Sequence, residues 1–261
     1  MNPTEVITIR HKNTAKKKPT KTPAKRWLSP SSINSFIRCP RAFFNKRIAK
    51  LKQKPSIHLI RGIAVHSAIE KFYKFKETNI DDLFRFEWDE QNQSLLETKL
   101  NRSDLEFFYH DSLKMLRNFM NDFLANDGFA KADPIIEKTL FSKKYRLLAR
   151  LDKIEKARAP PLITDFKTSK SMEMSDDYKR QLGLCALLYE EAYGIRPEVE
   201  IHFLKFPNGK KRFRVSDKFL DEMRTLVAEI HRKTQSDDIK DYPCTCGWCR
   251  KNYIQSAKNE T

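Results

Sequence analysis

The sequence predicts an α/β fold, with a central mixed sheet flanked by helices, a helical N-terminal segment before it and a cysteine-bearing tail after it. Three observations predict this. As far as Gly128, apolar residues recur at three- and four-residue spacing, the period of an amphipathic helix. After Pro134 the pattern changes to short β-branched and aromatic runs, Ile135–Phe141, Tyr145–Ile154 and Leu162–Phe166, which read as strands. Beyond them a well-capped helix is followed by another strand and a hairpin turn.

Taken in order, Ser29 before Pro30 supplies an N-cap with proline at the first helical position, and Ile33, Phe36 and Ile37 give that helix an apolar face. A second helix starts at Pro40, and a third covers Arg61–Phe75, with Val65, Ile69, Phe72 and Tyr73 at helical spacing. Residues 78–102 read as irregular. Ser103 and Glu106 match a capping box for a long helix carrying Leu105, Phe108, Leu116, Phe119 and Phe123 and ending near Gly128. The segment Ala157–Pro161 is the turn between the second and third strands. Ser175 caps a helix running to Tyr193 with Gly194 as its stop, Val199–Phe206 alternates like a strand, and Pro207, Asn208 and Gly209 turn the chain into Arg212–Val215. A last helix covers Asp217–Lys233. The reading is an arm, 1–26, and one domain, 27–261, made of a helical part (27–133), an α/β core (134–235) and a cysteine-containing closure (236–261), with no internal repeat.

Charged residues make up 33% of the chain, the mean hydropathy is −0.67, and no apolar run approaches the ~20 residues of a membrane span, so a soluble protein with no membrane partner is expected. The N-terminus has no apolar signal core, which implies a cytoplasmic location. A formal net charge of +17 favours a polyanionic partner, nucleic acid first, through phosphate neutralisation and counterion release. Eight of the cations lie between Arg10 and Arg26, a stretch free of acids and interrupted by Pro19 and Pro23. Such a block reads either as a solubilising tail or as an electrostatic tether to DNA.

Asp165 and Lys167 stand two apart on a strand, so both side chains leave the same face. Asp152 lies near the end of the preceding strand, and a hairpin through Ala157–Pro161 could bring it beside Asp165. Two carboxylates and an ammonium then converge, a set suited to holding Mg²⁺ or Mn²⁺ and contacting a phosphodiester. The spacing alone is weak, since Glu97 with Lys99, Asp177 with Lys179 and Asp238 with Lys240 share it, and isolated pairs of this kind are ordinarily solvated salt bridges. Only Asp165 lies in an apolar strand with an acid on the strand before it. His66 and Glu70, four apart on the third helix, share a face away from Val65 and Ile69, and His66 could be a further metal ligand or a structural histidine.

Taken together, the segments Leu28-Ser-Pro-Ser-Ser-Ile-Asn-Ser-Phe-Ile-Arg-Cys39-Pro-Arg-Ala-Phe-Phe, Arg61-Gly-Ile-Ala-Val-His66, Ala149-Arg-Leu-Asp152, Ile163-Thr-Asp165-Phe-Lys167-Thr and Gln181-Leu resemble, in order, the motifs of RecB-like PD-(D/E)XK nucleases. The resemblance covers residues 27–253. It implies a restriction-endonuclease-like core, metal ligation by His66, Asp152, Asp165 and the backbone carbonyl of Phe166, Lys167 as the catalytic lysine, and Gln181 as an active-site or DNA-contacting group. It also implies exonuclease action on single-stranded DNA or DNA ends, with repair or CRISPR-type protein partners. Ala149 departs from a frequent glycine and Cys185 from a tyrosine that commonly follows the glutamine by four, a place Tyr189 could fill. Glu137 precedes the Asp152 strand, as a glutamate often does in this family, but reads equally well as an exposed strand residue. Two competing readings are a non-catalytic nucleic-acid-binding subunit of a repair complex and an RNA-directed protein acting mainly through its arm.

Five cysteines in a cytoplasmic chain argue against a disulfide framework and raise metal ligation as a candidate. Cys244, Cys246 and Cys249 crowd together near the end, and with Cys39 they resemble the one-early, three-late layout of a four-iron [4Fe–4S] cluster in one branch of the family. Their spacing departs from that branch's usual late pattern, and Zn²⁺ or no metal are the alternatives. Cys185 reads as a buried core residue.

Overall fold

The computed structural model describes residues 26–76, 78–126, 133–247 and 249. The basic arm as far as Lys25, the Gly128 helix stop and the chain from Arg250 onward lie outside the described residues.

Helix α1 (Pro30–Arg38) opens as expected, the Ser29 hydroxyl accepting from the Ser32 amide at 3.3 Å and the Ser29 amide donating to the Ser32 hydroxyl at 2.8 Å. Helix α2 (Pro40–Phe43) continues into a π-helical turn, Phe44–Ile48. Helix α3 (Ile57–Lys74) begins four residues before the expected Arg61 and buries Ile60, Ala64, Val65, Ala68, Ile69 and Phe72.

Residues 78–102 are not irregular, as the sequence reading had them: they form α4 (Ile80–Asp89) and α5 (Asn92–Glu97). The Asn79 side chain caps α4 by accepting from the Asp81 amide, and Ile80, Phe84 and Trp88 make a buried stripe at four-residue spacing. Phe86, 55% exposed on the opposite face, obscures that period. Helix α6 (Arg102–Ala125) is capped by Asn101, which accepts from the Asp104 amide at 2.8 Å, and not by the expected Ser103. Glu106 instead takes the Arg102 guanidinium, one turn back, at 2.8 Å.

Five strands follow in a sheet of order β1-β2-β3-β4-β5: β1 (Ile135–Ser142), β2 (Leu147–Glu155), β3 (Leu162–Lys167), β4 (Glu198–Phe203) and β5 (Lys210–Phe213). All neighbours are antiparallel except β3 and β4, which run parallel because α7 (Asp176–Tyr193) crosses between them. Ser175 caps α7 and Gly194 ends it at φ 71°, both as expected. β4 stops at Phe203, short of the expected Phe206, because the chain folds back at once: the Phe203 amide donates to the Gly209 carbonyl at 2.7 Å, and the turn leaves no room for a Cβ at Gly209. Helix α8 (Asp217–Lys233) closes the core.

The sheet separates two apolar clusters. On one side Ile163, Val199, Ile201 and Phe203 pack with the buried face of α7, with α8 and with α1. On the other, Phe166 and Leu204 join α3, α4 and α6. The strand ends carrying Asp152, Asp165 and Lys167 are thus held from both sides. No helix among the described residues is long and apolar enough to cross a membrane.

Candidate active site

Strands β2 and β3 pair only from Glu155 opposite Leu162 to Lys153 opposite Thr164. Asp152 and Asp165 are the next residue on each strand, so the two carboxylates flank the mouth of a fork. The Phe166 amide, freed from the β2 ladder, donates to Asp152 Oδ2 at 2.8 Å and ties the two arms together.

Opposite the fork, the β1–β2 ladder is disturbed. Pairing runs through Ile136–Lys153 and resumes at Lys138–Leu151, skipping Glu137 and Asp152. Glu137 adopts φ 54°, uncommon for a residue with a side chain and costly enough that such strain collects at functional sites. On β2, Leu151 and Ile154 both enter the α7-side core although three positions apart, so the alternation slips by one between them. The distortion turns Glu137 and Asp152 together under α3.

Two trios result. In the first, His66, Glu137 and Asp152 offer ligand atoms that all lie within 4.8 Å of one another, with His66 Nδ1 3.5 Å from Asp152 Oδ2. In the second, Gln181 Nε2 donates to Asp165 Oδ1 at 2.6 Å, Lys167 Nζ donates to Gln181 Oε1 at 3.1 Å, and Lys167 Nζ lies 2.6 Å from Asp165 Oδ2. Every candidate taken from the carboxylate, lysine and glutamine motifs therefore reaches the fork, but Asp165 is engaged by Lys167 and Gln181 rather than gathered with His66. Glu70 pairs with Arg150 at 3.0 Å, and Arg150 also holds Glu137. Glu137 is not the exposed strand residue of one sequence reading, its side chain being 9% exposed.

The electrostatics reflect crowded acids. Burial and the nearby Asp165 carboxylate push the Asp152 carboxyl up, against the pull of His66, Lys167 and the Phe166 amide. Glu137 is pushed up to about 7 by burial first and by Asp152 next. Burial would lower Lys167, but its contact with Asp165 and the field of Asp152 win, so the ammonium stays charged.

Tyr178 was missed by the sequence reading: Lys167 Nζ lies 5.2 Å from its ring centroid, and the available signal was its place one turn before Gln181 on the same helix face. Tyr189 packs in the core against Tyr193, with centroids 4.6 Å apart, and Cys185 is buried at 4% exposure.

The second candidate cluster also assembles. The sulfurs of Cys39, Cys244, Cys246 and Cys249 all lie within 4.8 Å of one another, Cys39 at 3.5 Å from Cys249 and 4.0 Å from Cys244, and Cys246 at 3.5 Å from Cys249. Burial raises the Cys39 thiol, but hydrogen bonds from the Ala42 and Thr245 amides and from Cys246 and Cys249 together bring it down to about 6, while burial and the neighbouring Cys246 and Cys39 sulfurs push Cys249 up, so the first negative charge of the group rests on Cys39. A single tetrahedral Zn²⁺ with bonds of about 2.3 Å holds its sulfurs about 3.8 Å apart, close to these separations, whereas a four-iron cube stands between its ligands and would require them to spread.

Residues 27–252 match the family model of the PD-(D/E)XK nuclease superfamily. The chain is similar to the "Gene 69 protein" of Mycobacterium phage L5, at 21% identity over 86% of this chain and 94% of the relative. In structure it is similar to a "Putative exonuclease" from Eubacterium rectale, with a TM-score of 0.58 over 89% of this chain and 90% of the other at 12% identity, a likeness of fold.

Proposed function

Since the chain belongs to the PD-(D/E)XK nuclease superfamily, we propose that it is a metal-dependent DNA nuclease of the RecB-like kind, an exonuclease acting on single-stranded DNA or DNA ends. The observation that carries this reading is the fork, where three metal-binding groups stand beside a charged lysine. His66, Glu137 and Asp152 fit an Mg²⁺ or Mn²⁺ ion by donor type and by mutual distance, and their crowded negative charge calls for a cation. Such an ion would supply charge neutralisation at the scissile phosphate and hydroxide at neutral pH.

The chain's own part follows from the second trio. Lys167 presents a fixed positive charge to a phosphate oxygen where charge grows in the transition state. Gln181 holds Lys167 and Asp165 in register, and Tyr178 bounds the ammonium from the side. Both oxygens of Asp165 are engaged, Oδ1 by Gln181 and Oδ2 by Lys167, so Asp165 would have to release one of them to help hold the ion. The Phe166 carbonyl, on the residue whose amide already orients Asp152, is the remaining ligand that the family resemblance assigns.

The net charge of +17 supports a polyanionic substrate, and the likeness in fold to the "Putative exonuclease" of Eubacterium rectale supports action from ends. The four cysteines hold a metal centre that joins the two ends of the domain, an iron–sulfur cluster by resemblance and Zn²⁺ by sulfur spacing. Repair or CRISPR-type processing is the setting this chemistry suits.

The test is incubation of purified protein with end-labelled single- and double-stranded DNA in Mg²⁺, Mn²⁺ or EDTA, with visible absorbance and elemental analysis of an anaerobic preparation. Metal-dependent release of short products from single strands or ends is expected. Tight DNA binding with no cleavage under any metal would overturn the enzyme reading in favour of a non-catalytic subunit. Broad visible absorbance marks an iron–sulfur cluster; a colourless protein carrying zinc marks the alternative.

A further inference from the structure

We infer that Arg61 is a positioning residue for the proposed nuclease reaction: from within α3 it clamps the backbone just after Lys167 and so fixes the spacing between His66 and Lys167. The inference rests on the nuclease reading above.

Arg61 is 4% exposed, so it does not meet solvent or a substrate. Its Nη2 donates to the Thr168 carbonyl at 2.7 Å and its Nη1 to Asp111 Oδ2 on α6 at 3.0 Å. Lys205 Nζ, just beyond β4, reaches the same Asp111 oxygen at 3.1 Å. The guanidinium carbon lies 5.5 Å from the Phe108 centroid, and the buried Nε has no hydrogen-bond partner among the described residues. An apolar side chain of similar volume would fill this place without the cost of desolvating a cation, so the charge needs a reason other than packing.

The geometry supplies one. The Lys167 carbonyl accepts from the Leu204 amide at 2.9 Å, and the Thr168 carbonyl accepts from Arg61, so both carbonyls at the exit of β3 are tied down. Helix α3 also passes this point at Gly62, where a Cβ would stand in ordinary contact, 3.9 Å from Thr168 Oγ1. His66 follows Arg61 by five residues on the same rigid helix, about 7.5 Å further along. One side chain therefore couples the helix of a proposed metal ligand to the strand end of the proposed catalytic lysine. A guanidinium, with two donors in fixed divergent directions, can reach a carbonyl and a carboxylate at once; a lysine ammonium is a single point charge.

The test compares Arg61→Gln, Arg61→Lys and Asp111→Asn with Thr234→Val, which loses a buried hydroxyl bonded to the Ile230 carbonyl at 2.7 Å on α8, away from the fork. Single-turnover cleavage, DNA affinity, thermal stability and Mn²⁺ binding by electron paramagnetic resonance without DNA are read for each. Misplacement of a catalytic group by about 1 Å can cost on the order of 100-fold, so that loss is expected in the cleavage rate of Arg61→Gln, with a smaller loss for Asp111→Asn and for Arg61→Lys. Mn²⁺ should bind several-fold more weakly although no ligand has been removed, and DNA affinity should stay within about twofold. If Arg61→Gln fails to fold, the other two variants decide. Normal cleavage and Mn²⁺ binding in them, or a rate loss no greater than that of Thr234→Val, overturns the inference while leaving the nuclease reading intact. A wild-type protein that neither cuts DNA nor binds Mn²⁺ overturns both.

Discussion

The fork draws His66, Glu137 and Asp152 from α3, β1 and β2 in the middle of the fold, whereas the cysteine cluster joins Cys39, after α1, to Cys244, Cys246 and Cys249 beyond α8. Their donors differ in kind. Oxygen and imidazole at the fork suit a hard, exchangeable cation with room for substrate; four thiolates suit a soft metal held on all sides. Their surroundings differ as well. The fork is carried by strands clamped between two apolar clusters, so Glu137 and Asp152 are crowded at the expense of their own ionisation, while the apolar residues packed with the cysteines among the described residues are Ala42 and Leu51. On the proposed reading, the first arrangement serves reaction and the second holds chain ends together.

The sharpest way to break this comparison is to remove one group from the reacting fork. Asp165→Ala and Lys167→Ala should each lower the cleavage rate by on the order of 1,000-fold or more, because they act on the transition state, while the melting temperature and DNA affinity stay near wild type. Full activity in a carefully purified Asp165→Ala protein would refute the assignment of the fork as the reaction centre.

The cysteine cluster should respond in the opposite sense. Cys39→Ala opens a loop that spans 205 residues to Cys244 and removes a proposed metal ligand, whose binding energy would add to folding. A fall in melting temperature of roughly 10 °C is expected, with cleavage per folded molecule retained. Cys185→Ser, which places a hydroxyl in the core without touching a metal, should cost only a few degrees. Equal losses for the two variants, or an anaerobic protein carrying neither iron nor zinc, would reduce the four cysteines to packing residues.

The legibility of the two regions in the sequence also differed, for physical reasons. The convergence of Asp152, Asp165 and Lys167 was legible because strands report themselves through apolar runs and period-two spacing, and the helix from Ser175 to Gly194 because caps are local chemistry. The joining of Cys39 to the late triplet came by resemblance, since nothing local links positions so far apart. Helices α4 and α5 escaped notice because Phe86 and Leu96 face outward and blur the apolar stripe. The role of Glu137 stayed ambiguous because it depends on a backbone reversal, φ 54°, that a strand-like run such as Ile135–Phe141 does not announce. Asp165's engagement by Gln181 and Lys167 is a side-chain matter that spacing alone could not resolve.

Glu137 offers a finer probe of the fork. Glu137→Gln keeps shape and removes charge, so it should raise the Mn²⁺ concentration needed for half-maximal cleavage by roughly 10-fold, with the saturated rate less affected. An unchanged metal requirement would return Glu137 to the role of a strand residue paired with Arg150 and leave His66 and Asp152 as the ligands.

The smallest effect concerns the arm, and it tests whether binding can be separated from both clusters. Arg26, the first described residue, is anchored at the far end of α8, where it donates to the Thr234 carbonyl and pairs with Asp237. Arg26 thus stands close to the chain that leads to the cysteines, and no residue of the fork precedes it in the sequence. Removing residues 1–25 while keeping Arg26 should therefore leave both the melting temperature and the cleavage rate at saturating DNA unchanged. If the arm touches phosphates, DNA affinity should weaken, and the slope of log affinity against log salt should flatten by roughly 0.7 to 0.9 for each phosphate that the shortened chain leaves unneutralised. Parallel salt slopes for the full and shortened chains would show that the arm only adds solubility, and that DNA is gripped by the folded domain alone.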